Sequence, residues 1–555
     1  MALSTTKNYY ISQNTAVLRE SSDAGSEPLN HLLFGDWLRW LGESDGDWHK
    51  VRCRGDEGWL HDDQFGEDRA LEVNFVDIGQ GDGAHLVTPD DQVILIDAGK
   101  TDNMARFLNW RYNLRRRKVA GVDDVAAGDS GVRPPFNIEM AVISHPDNDH
   151  YYGFRHIFSN PKLSFGHVYH NGIVERPISK AEKDAVKDIK ELSYKYDLGL
   201  GVKAENKKWY LLDLVRTNTD MRSLVASHPT TQKQYISTIR GLIENPANAG
   251  TKFKALSARD AHLPGFDGSG DVTIELLGPV TEEIAHDGAN RHLLRIIGNE
   301  GVTKNGHSLV FKLKIGRLSI LLGGDLNTES EDYLLRHYCG TDKDASDLES
   351  DVWHLNQKGD TLNQDEKTEL TAAEAALTSI VTEARKVWQV DVAKACHHGS
   401  HHFSETFLRG LNAIAYVVSS GDAEAYAHPR PDALGAFGKY GRGHRPLIFS
   451  TEIARSTREF TPLFKYFDKL KKYEAEIEAA ASQSEKNKIT KKMQAAKDRN
   501  VAVYGMITLR TDGERTIIAQ KIEEPSGDDQ KWDVHVLKFN EERGEFVYQD
   551  KTKSH

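Results

Sequence analysis

Two short polar segments hold most of the residues that could perform chemistry. The first is His145-Pro146-Asp147-Asn148-Asp149-His150, and the second is Cys396-His397-His398-Gly399-Ser400. Two imidazoles and two carboxylates within six residues cannot share one face of a helix or strand, so the first segment must curl around something that satisfies them all. A divalent cation, or a pair, does this best. Either segment alone could be a polar loop, but together they predict a dinuclear metal site.

A buried strand is predicted directly before the first segment. The run Met140-Ala141-Val142-Ile143-Ser144 is apolar, and Gly153 with a short amphipathic stretch follows the ligands. This order predicts a strand, a ligand-bearing loop and a helix.

The first segment resembles the His-x-His-x-Asp-His signature of metallo-β-lactamase-fold hydrolases, with Asp147 in place of the middle histidine. Further motifs are similar, in the same order, to those in the hydrolase domain of ComEC DNA-uptake proteins. They lie at residues 76–84, 93–99, 305–310, 318–325, 391–400 and 427–431. The resemblance implies an α/β fold, the αββα sandwich of that family with helical insertions, and a metal-dependent hydrolase.

The resemblance also implies two divalent metal ions, Zn²⁺ or Mn²⁺, and a set of ligands for them. His145 and Asp147 would bind one ion, Asp149 and His150 the other, and Asp325 would bridge the two. The further candidate ligands are His397, His398 and His307. The sequence does not show which residue of the 397–398 pair binds, and His307 stays open. A carboxylate at Asp147 makes its site harder, which makes Mn²⁺ an alternative to Zn²⁺.

Other residues are predicted to contact substrate or support the ligands. In Ala427-His428-Pro429-Arg430-Pro431, His428 matches a His-Pro-x-Pro motif of the ComEC-like hydrolase domains. The resemblance implies that His428 would contact phosphate or protonate the leaving group. Alternatively, it only packs under a proline turn. Asp149 is the second predicted catalytic residue. The predicted supporting or substrate-binding residues are Asp77, Asp82, Asp97, Ser400 and Arg430. Ser400 could instead cap a helix at 401–402.

Composition sets the broad class. At 555 residues, two or more domains are expected. The chain lacks an apolar signal region and has three cysteines, which predicts a cytoplasmic location; no apolar run approaches the roughly 18 residues of a membrane span. The net charge of −12 argues against a generally basic surface, although a local cluster over 111–118 could follow a phosphate backbone or be a solvated helix face.

The chain divides into a small N-terminal module and a large hydrolase domain. Short β-like runs over 1–68 predict a β-barrel that resembles bacterial SH3-like domains, a possible binder of a protein or peptide ligand. The hydrolase domain is predicted over 69–525, with helical insertions near 174–270 and 327–388 and a helical hairpin near 461–499. That hairpin could mediate a homo-oligomer. Residues 526–555 are predicted to form a C-terminal β-rich extension and tail.

Function follows from the predicted metals. Two ions about 3.5 to 4 Å apart generate a hydroxide at neutral pH and stabilise charge on the attacking and leaving oxygens, which suits phosphodiester hydrolysis. We predict a cytoplasmic phosphodiesterase, specifically a nuclease, because the resembled domain is associated with degrading DNA during uptake. Two alternatives stay open: a small-molecule phosphodiesterase or esterase (cyclic nucleotide, choline-phosphate ester or lactone), and a partner-recruiting protein with a vestigial metal site. A basic groove leading to the metals would favour the nuclease.

Overall fold

The structure, a computed structural model, describes residues 3–124, 131–421, 426–451, 463–498, 505–522 and 531–549. Its first element is a seven-stranded antiparallel sheet in the order β3-β2-β6-β5-β4-β1-β7. The strands are β1 (Tyr9–Ile11), β2 (Thr15–Arg19), β3 (Pro28–Leu33), β4 (Trp37–Asp45), β5 (Trp48–Cys53), β6 (Asp56–His61) and β7 (Phe65–Gly66). Within residues 3–124 the end strands β3 and β7 do not pair, so the sheet is open and the predicted closed barrel is not formed.

This N-terminal sheet has its own apolar core, which contains Leu18, Leu38, Val51 and Leu60. The four tryptophans lie around that core rather than in it. Trp40 packs against the core, Trp48 and Trp59 are half-buried, and Trp37 is 38% exposed.

Strands of the remaining chain build two larger sheets and one smaller one. They are β8 (Leu71–Phe75), β9 (Ala84–Val87), β10 (Val93–Ile96), β11 (Phe136–Ile143), β12 (Leu163–His170), β13 (Leu192–Tyr194), β14 (Leu200–Lys203), β15 (Trp209–Leu211), β16 (Lys252–Ala255), β17 (His262–Asp267), β18 (Val272–Gly278), β19 (Glu282–His286), β20 (Ala289–Arg295), β21 (Val310–Ile315), β22 (Leu318–Leu322), β23 (Val392–Lys394), β24 (Ala415–Val418), β25 (Leu447–Ser450), β26 (Ile507–Thr511), β27 (Arg515–Lys521), β28 (Trp532–Asn540) and β29 (Glu545–Gln549).

A ten-stranded sheet has the order β16-β12-β11-β10-β9-β8-β26-β27-β28-β29, and a seven-stranded sheet has the order β17-β18-β21-β22-β23-β24-β25. The α-helices are α1 (Asn103–Tyr112), α2 (Asn148–Tyr151), α3 (Arg155–Phe158), α4 (Lys180–Val186), α5 (Asn218–Ser227), α6 (Gln234–Glu244), α7 (Glu300–Gly306), α8 (Thr328–Cys339), α9 (Ala345–Lys358), α10 (Gln364–Trp388), α11 (Glu405–Leu411), α12 (Pro431–Tyr440), α13 (Leu463–Ala479) and α14 (Gln483–Asp498).

The two large sheets pack face to face, and helices cover their outer faces. Successive residues of a strand point to opposite faces, so β10 contributes Ile94 and Ile96 to the core between the sheets and Leu95 to the core under the helices. On the second sheet, Ile320 faces the first sheet, whereas Leu321 packs against α8 and α10. The layers therefore run helix, sheet, sheet, helix, which agrees with the predicted α/β class.

The two predicted helical insertions, at 174–270 and 327–388, differ from each other in structure. Residues 174–270 hold α4, α5 and α6, as a helical insertion requires, but β13, β14 and β15 also form a separate sheet with β20 and β19. The insertion is therefore helical only in part: β13, β14 and β15 pair in order, and β15 also pairs with β20, where Tyr210 lies opposite Arg295. The second insertion is helical, through α8, α9 and α10.

The C-terminal region contributes to the main sheet. Strands β26 and β27 form an antiparallel hairpin. Residues 501–504, which precede it, lie outside the described residues. Strands β28 and β29 continue the same sheet, so the part of the predicted 526–555 extension that is described belongs to the large domain. Helices α13 and α14 pack together through Leu470 and Met493. Among the described residues, no helix is long and apolar enough to cross a membrane.

Candidate metal centre

The candidate ligands follow the carboxyl ends of parallel strands in both large sheets. Strands β10 and β11 are parallel, and they deliver Asp97 and the 144–150 loop. Strands β22 and β23 are parallel in the other sheet, and they deliver Asp325 and His398. Because the carboxyl ends of parallel strands meet at one edge, such loops commonly build binding sites. The two sheets thus bring together ligand-bearing loops that are far apart in sequence.

Four side chains form one compact group: Asp82, His150, Asp325 and His398. All four are buried, and one ligand atom from each lies within 4.8 Å of the others. Asp325 is central, since its Oδ2 lies 3.2 Å from His150 Nε2 and 3.1 Å from His398 Nε2. Two imidazole nitrogens and two carboxylates make a donor set that suits Zn²⁺ or Mn²⁺.

Groups behind the histidines fix which ring nitrogen faces the centre. His150 Nδ1 lies 2.8 Å from Asp97 Oδ2, and His398 Nδ1 lies 3.1 Å from the carbonyl oxygen of Ser419. Both of these oxygens are acceptors, so each Nδ1 donates its hydrogen outward. Both Nε2 atoms therefore point inward as available ligands, the orientation found in metal-binding histidines. This is the supporting role predicted for Asp97.

Several buried atoms of this group lack a hydrogen bond of acceptable geometry. They are His150 Nε2, His398 Nε2, Asp82 Oδ1 and Asp325 Oδ1, although Asp82 Oδ1 also lies 3.1 Å from His398 Nδ1. Buried polar atoms are normally satisfied because leaving them unpaired is costly. A divalent cation bound to these atoms would satisfy them, so the residues fit a metal ion.

The metal-free group is strongly coupled electrostatically. Burial alone would raise the pKa of Asp325, but His150 and His398 hold it well below its usual range. Burial alone would lower the pKa of His398, but Asp325 and Asp82 raise it to about 10. A metal ion would thus compete with a proton for His398 Nε2.

His145 and Asp147, the ligands predicted for the other ion, lie beside this group. His145 Nδ1 lies 3.0 Å from Ser144 Oγ and 3.2 Å from Ser308 Oγ, which leaves Nε2 3.8 Å from Asp147 Oδ2. Asp147 already has a cationic partner, because Lys304 Nζ lies 2.5 Å from its Oδ1. The same ammonium lies 2.8 Å from Glu175 Oε1. A lysine therefore already contacts Asp147 Oδ1, whereas Oδ2 is the oxygen that faces His145.

Asp149 and the 397–398 pair are also near the centre. Asp149 Oδ2 lies 3.8 Å from His398 Nε2 and accepts a hydrogen bond of 3.3 Å from Gln80. His398 joins the four-residue group, whereas His397 Nε2 lies 3.5 Å from Asn305 Nδ2 at the cleft wall. Both histidines have positive φ, 47° for His397 and 54° for His398, so the tight turn after β23 turns consecutive rings in different directions.

The structure also places three further candidate residues, His307, Ser400 and Arg430. His307 is not brought to the centre: its Nε2 lies 2.5 Å from the carbonyl oxygen of Arg295, because the turn after α7 points its ring away and points Ser308 inward. Ser400 does not start a helix at 401–402; its Oγ accepts from the His402 amide at 3.3 Å. Arg430 meets the histidine loop through its backbone, which donates to the Gly399 carbonyl at 2.8 Å.

Asp82 belongs to the candidate metal centre, whereas Asp77 lies in the loop behind it. Asp82, predicted only to support the site, belongs to the four-residue group. Gly81 allows its loop to pass against Asp149, since a Cβ there would lie 1.6 Å from the Asp149 carbonyl oxygen. Asp77 is fully buried and accepts from the Gly79 amide at 3.2 Å, so it holds this loop rather than facing the cleft.

A cleft of about 320 Å³ opens onto the centre. Its polar lining includes Asp149, Lys304, His397, His398 and His428. The His428 ring lies 5.7 Å from that of His397 and 6.3 Å from that of His398, and its Nδ1 is buried without a hydrogen-bond partner. Burial and the two neighbouring histidines lower the pKa of His428 to about 4, so the metal-free protein holds it neutral at pH 7.

Sequence analysis missed Lys394. It is 4% exposed, its ammonium contacts Asp82, and it lies 3.0 Å from the carbonyl oxygen of Gly324 and 3.8 Å from Asp325 Oδ1. Burial would lower the pKa of Lys394, but Asp82 and Asp325 raise it, so the lysine is charged. The signal was available, because Lys394 is the one charged residue in the otherwise apolar run 392–395.

Neither a scan of protein-family models nor a search of curated proteins finds a match for this chain.

Proposed function

We propose that this protein is a metal-dependent phosphodiesterase with a metallo-β-lactamase-like fold, and that its substrate is nucleic acid, with DNA favoured. The observation that carries the proposal is the buried group of Asp82, His150, Asp325 and His398, whose inward atoms lack partners. The layered arrangement of helices and sheets supports the resemblance to the hydrolase domain of ComEC.

These four residues would hold one ion, and Asp149 stands close enough to join them. A second ion would use His145 and Asp147 Oδ2, and it would bind a carboxylate whose charge the Lys304 ammonium already neutralises at Oδ1. When bound, such an ion supplies Lewis acidity and lowers the pKa of a coordinated water. His428 and Lys304 line the cleft, where they can donate hydrogen bonds to phosphate oxygens.

A small phosphodiester is the second candidate substrate. It is favoured by the cleft volume of about 320 Å³, which is at the lower end of the range for small-molecule sites. A vestigial site is disfavoured, because every ligand of the four-residue group is present and each histidine is held by a partner behind it.

The test uses protein stripped of metal and then supplied separately with Mn²⁺, Zn²⁺ or Mg²⁺. Single- and double-stranded DNA, RNA and bis-p-nitrophenyl phosphate serve as substrates. Asp325→Asn removes the central ligand charge with little change in shape, and Asp188→Asn is the matched control on an exposed surface. Metal content is measured for each variant.

We expect strand cleavage by the native protein and the control, and loss of metal and of at least about 100-fold in activity for Asp325→Asn. Turnover of the small diester alone would replace the nuclease with a small-molecule phosphodiesterase. Metal bound by the native protein without any hydrolysis would overturn the proposal.

A further inference from the structure

A second and larger cleft, of about 860 Å³, lies outside the metal centre. It is bordered by the ends of β12 and β16, the start of α5 and the segment 256–260. Its lining holds four cationic side chains, Arg216, Lys252, Lys254 and Arg259, and a single carboxylate, Asp260. In a chain of net charge −12, this is a local excess of positive charge.

The cleft's one carboxylate is already used. Asp260 accepts hydrogen bonds from the Lys254 ammonium at 2.7 Å and from the Ser257 amide at 3.0 Å. Among the described residues, no carboxylate lies within 4.0 Å of the charged groups of Arg216, Lys252 or Arg259. Arg216 instead donates to the His292 carbonyl at 2.6 Å, and Arg259 Nη1 lies 3.2 Å from His292 Nδ1. Within the described part of the chain, these three cations therefore face the cleft without a carboxylate in ion-pair contact.

The cleft also offers aromatic and polar groups. The partly exposed ring of His167 stacks on the buried ring of Tyr169, with the two rings nearly parallel and their centroids 5.6 Å apart. His167 Nδ1 and Thr281 Oγ1 are buried atoms without hydrogen-bond partners. Cations that track phosphates beside aromatic surfaces are the usual means of holding single-stranded nucleic acid.

The second cleft adjoins the metal cleft. Gly172 lines the cationic cleft and Glu175 lines the metal cleft. These residues are three positions apart, a length of chain that spans at most about 11 Å. Asn171 also donates to the His307 carbonyl at 2.9 Å, which ties the wall of the cationic cleft to the turn that carries Asn305 in the metal cleft. The two clefts are thus neighbours, separated by the buried side chains of Ile173 and Val174.

We propose that the cationic cleft holds the phosphate backbone of a single-stranded nucleic acid whose scissile phosphate lies in the metal cleft. This inference rests on the proposed function and adds a strand-binding site to it. Arg216, Lys252 and Arg259 neutralise backbone phosphates there, and the partly exposed ring of His167 offers a surface for one base.

The test compares the full-length protein with Arg216→Gln/Lys252→Gln/Arg259→Gln. All three residues are exposed, so their replacement leaves the core intact. The matched control removes three exposed lysines elsewhere, Lys187→Gln/Lys190→Gln/Lys207→Gln. Binding of a labelled oligothymidylate of about 15 nucleotides is measured by fluorescence anisotropy in chelator over a range of salt concentrations. Hydrolysis of bis-p-nitrophenyl phosphate is measured with Mn²⁺.

We expect the cleft variant to bind the oligonucleotide at least about 10-fold more weakly. The slope of log binding constant against log salt concentration should be shallower by about 2, because each phosphate contact with a single strand contributes about 0.7 to that slope. Its hydrolysis of the small diester should match that of the control. Unchanged oligonucleotide binding, an equal loss in the control, or displacement of the oligonucleotide by AMP at equal nucleotide concentration would overturn the inference. If the native protein hydrolyses neither DNA nor the small diester, the proposed catalytic function fails, and the binding measurement still reports on the cleft.

Discussion

At the scale of single residues, the centre is defined by which atoms face inward. Asp97 and the Ser419 carbonyl hold Nδ1 of His150 and His398, so each Nε2 is directed at Asp325. Lys394 brings a charged ammonium group to Asp82, and Lys304 brings another to Asp147. The number of ions bound therefore depends on lysines as much as on ligands.

Lys304→Met tests this dependence. Removing the ammonium leaves Asp147 and Glu175 without their cation, so a second divalent ion gains a carboxylate site next to His145. We expect the bound metal to rise from about one to about two equivalents per chain. Native mass spectrometry after titration with Mn²⁺ measures the ratio.

Lys207→Met, on an exposed surface, is the control for this substitution. A ratio of one in both proteins would mean that His145 and Asp147 do not hold an ion. A ratio of two in the unmodified protein would show that the Lys304 side chain moves aside when metal binds.

At the scale of elements, the site depends on loops that approach one another closely. The loop carrying Asp82 lies directly against the loop carrying Asp149, and the Asp82 amide donates to the Asp149 carbonyl at 3.2 Å. Gly81 makes this approach possible, with φ of 95° and no Cβ. Strand ends thus place the ligands, and one glycine sets the spacing between two of their loops.

Gly81→Ala should separate these loops. Its Cβ would meet the Asp149 carbonyl oxygen at 1.6 Å, and the positive φ adds strain. We expect metal affinity to fall at least about 10-fold, together with a loss of about 1–3 kcal/mol in the free energy of unfolding. Competition with a chelator and urea unfolding measure the two effects.

Gly250→Ala is the matched control, because nothing lies within 4 Å of a Cβ at that position. Metal affinity that is equal in the two variants would show that the Asp82 loop does not contribute to the centre.

At the scale of the whole molecule, the N-terminal sheet is joined to the main domain through buried charges. Arg510 on β26 lies 2.7 Å from Asp36 Oδ1 and donates to the Phe34 carbonyl at 2.9 Å. It also lies 3.7 Å from Glu72 on β8. The N-terminal sheet is therefore attached to the main domain through the turn that carries Phe34 and Asp36.

Arg510→Met should destabilise the protein by about 3–5 kcal/mol at pH 7, because it leaves the buried Asp36 carboxylate without this partner. Burial alone would raise the pKa of Asp36, but Arg54 and Arg510 hold it below 3.8. A lowered folded-state pKa stabilises above the unfolded pKa, and that stability is lost as pH falls through the folded value. The difference between the two proteins should therefore narrow towards pH 3.

Urea unfolding at pH 7 and at lower pH checks this prediction. The double variant Asp36→Asn/Arg510→Met is the control, since it removes both charges and should recover part of the lost stability. A difference between the native protein and Arg510→Met that stays constant with pH would contradict the role given to Asp36.

The sequence by itself determined the residue types of the candidate site and the strands that carry them. Apolar runs before Asp97, His145 and Asp325 predict buried strands with ligands at their ends, because burial and alternation depend on local sequence. The α/β class and the helical segment at 327–388 follow from the same kind of local pattern.

Only the tertiary structure decided which of these residues meet. The direction of the His307 ring, the choice of His398 over His397, and the contact of Lys394 with Asp82 depend on how loops from two sheets face each other. The open N-terminal sheet and the strands inserted at 192–211 likewise depend on pairing between distant segments. Such contacts join residues tens to hundreds of positions apart, and no local pattern of polarity specifies them.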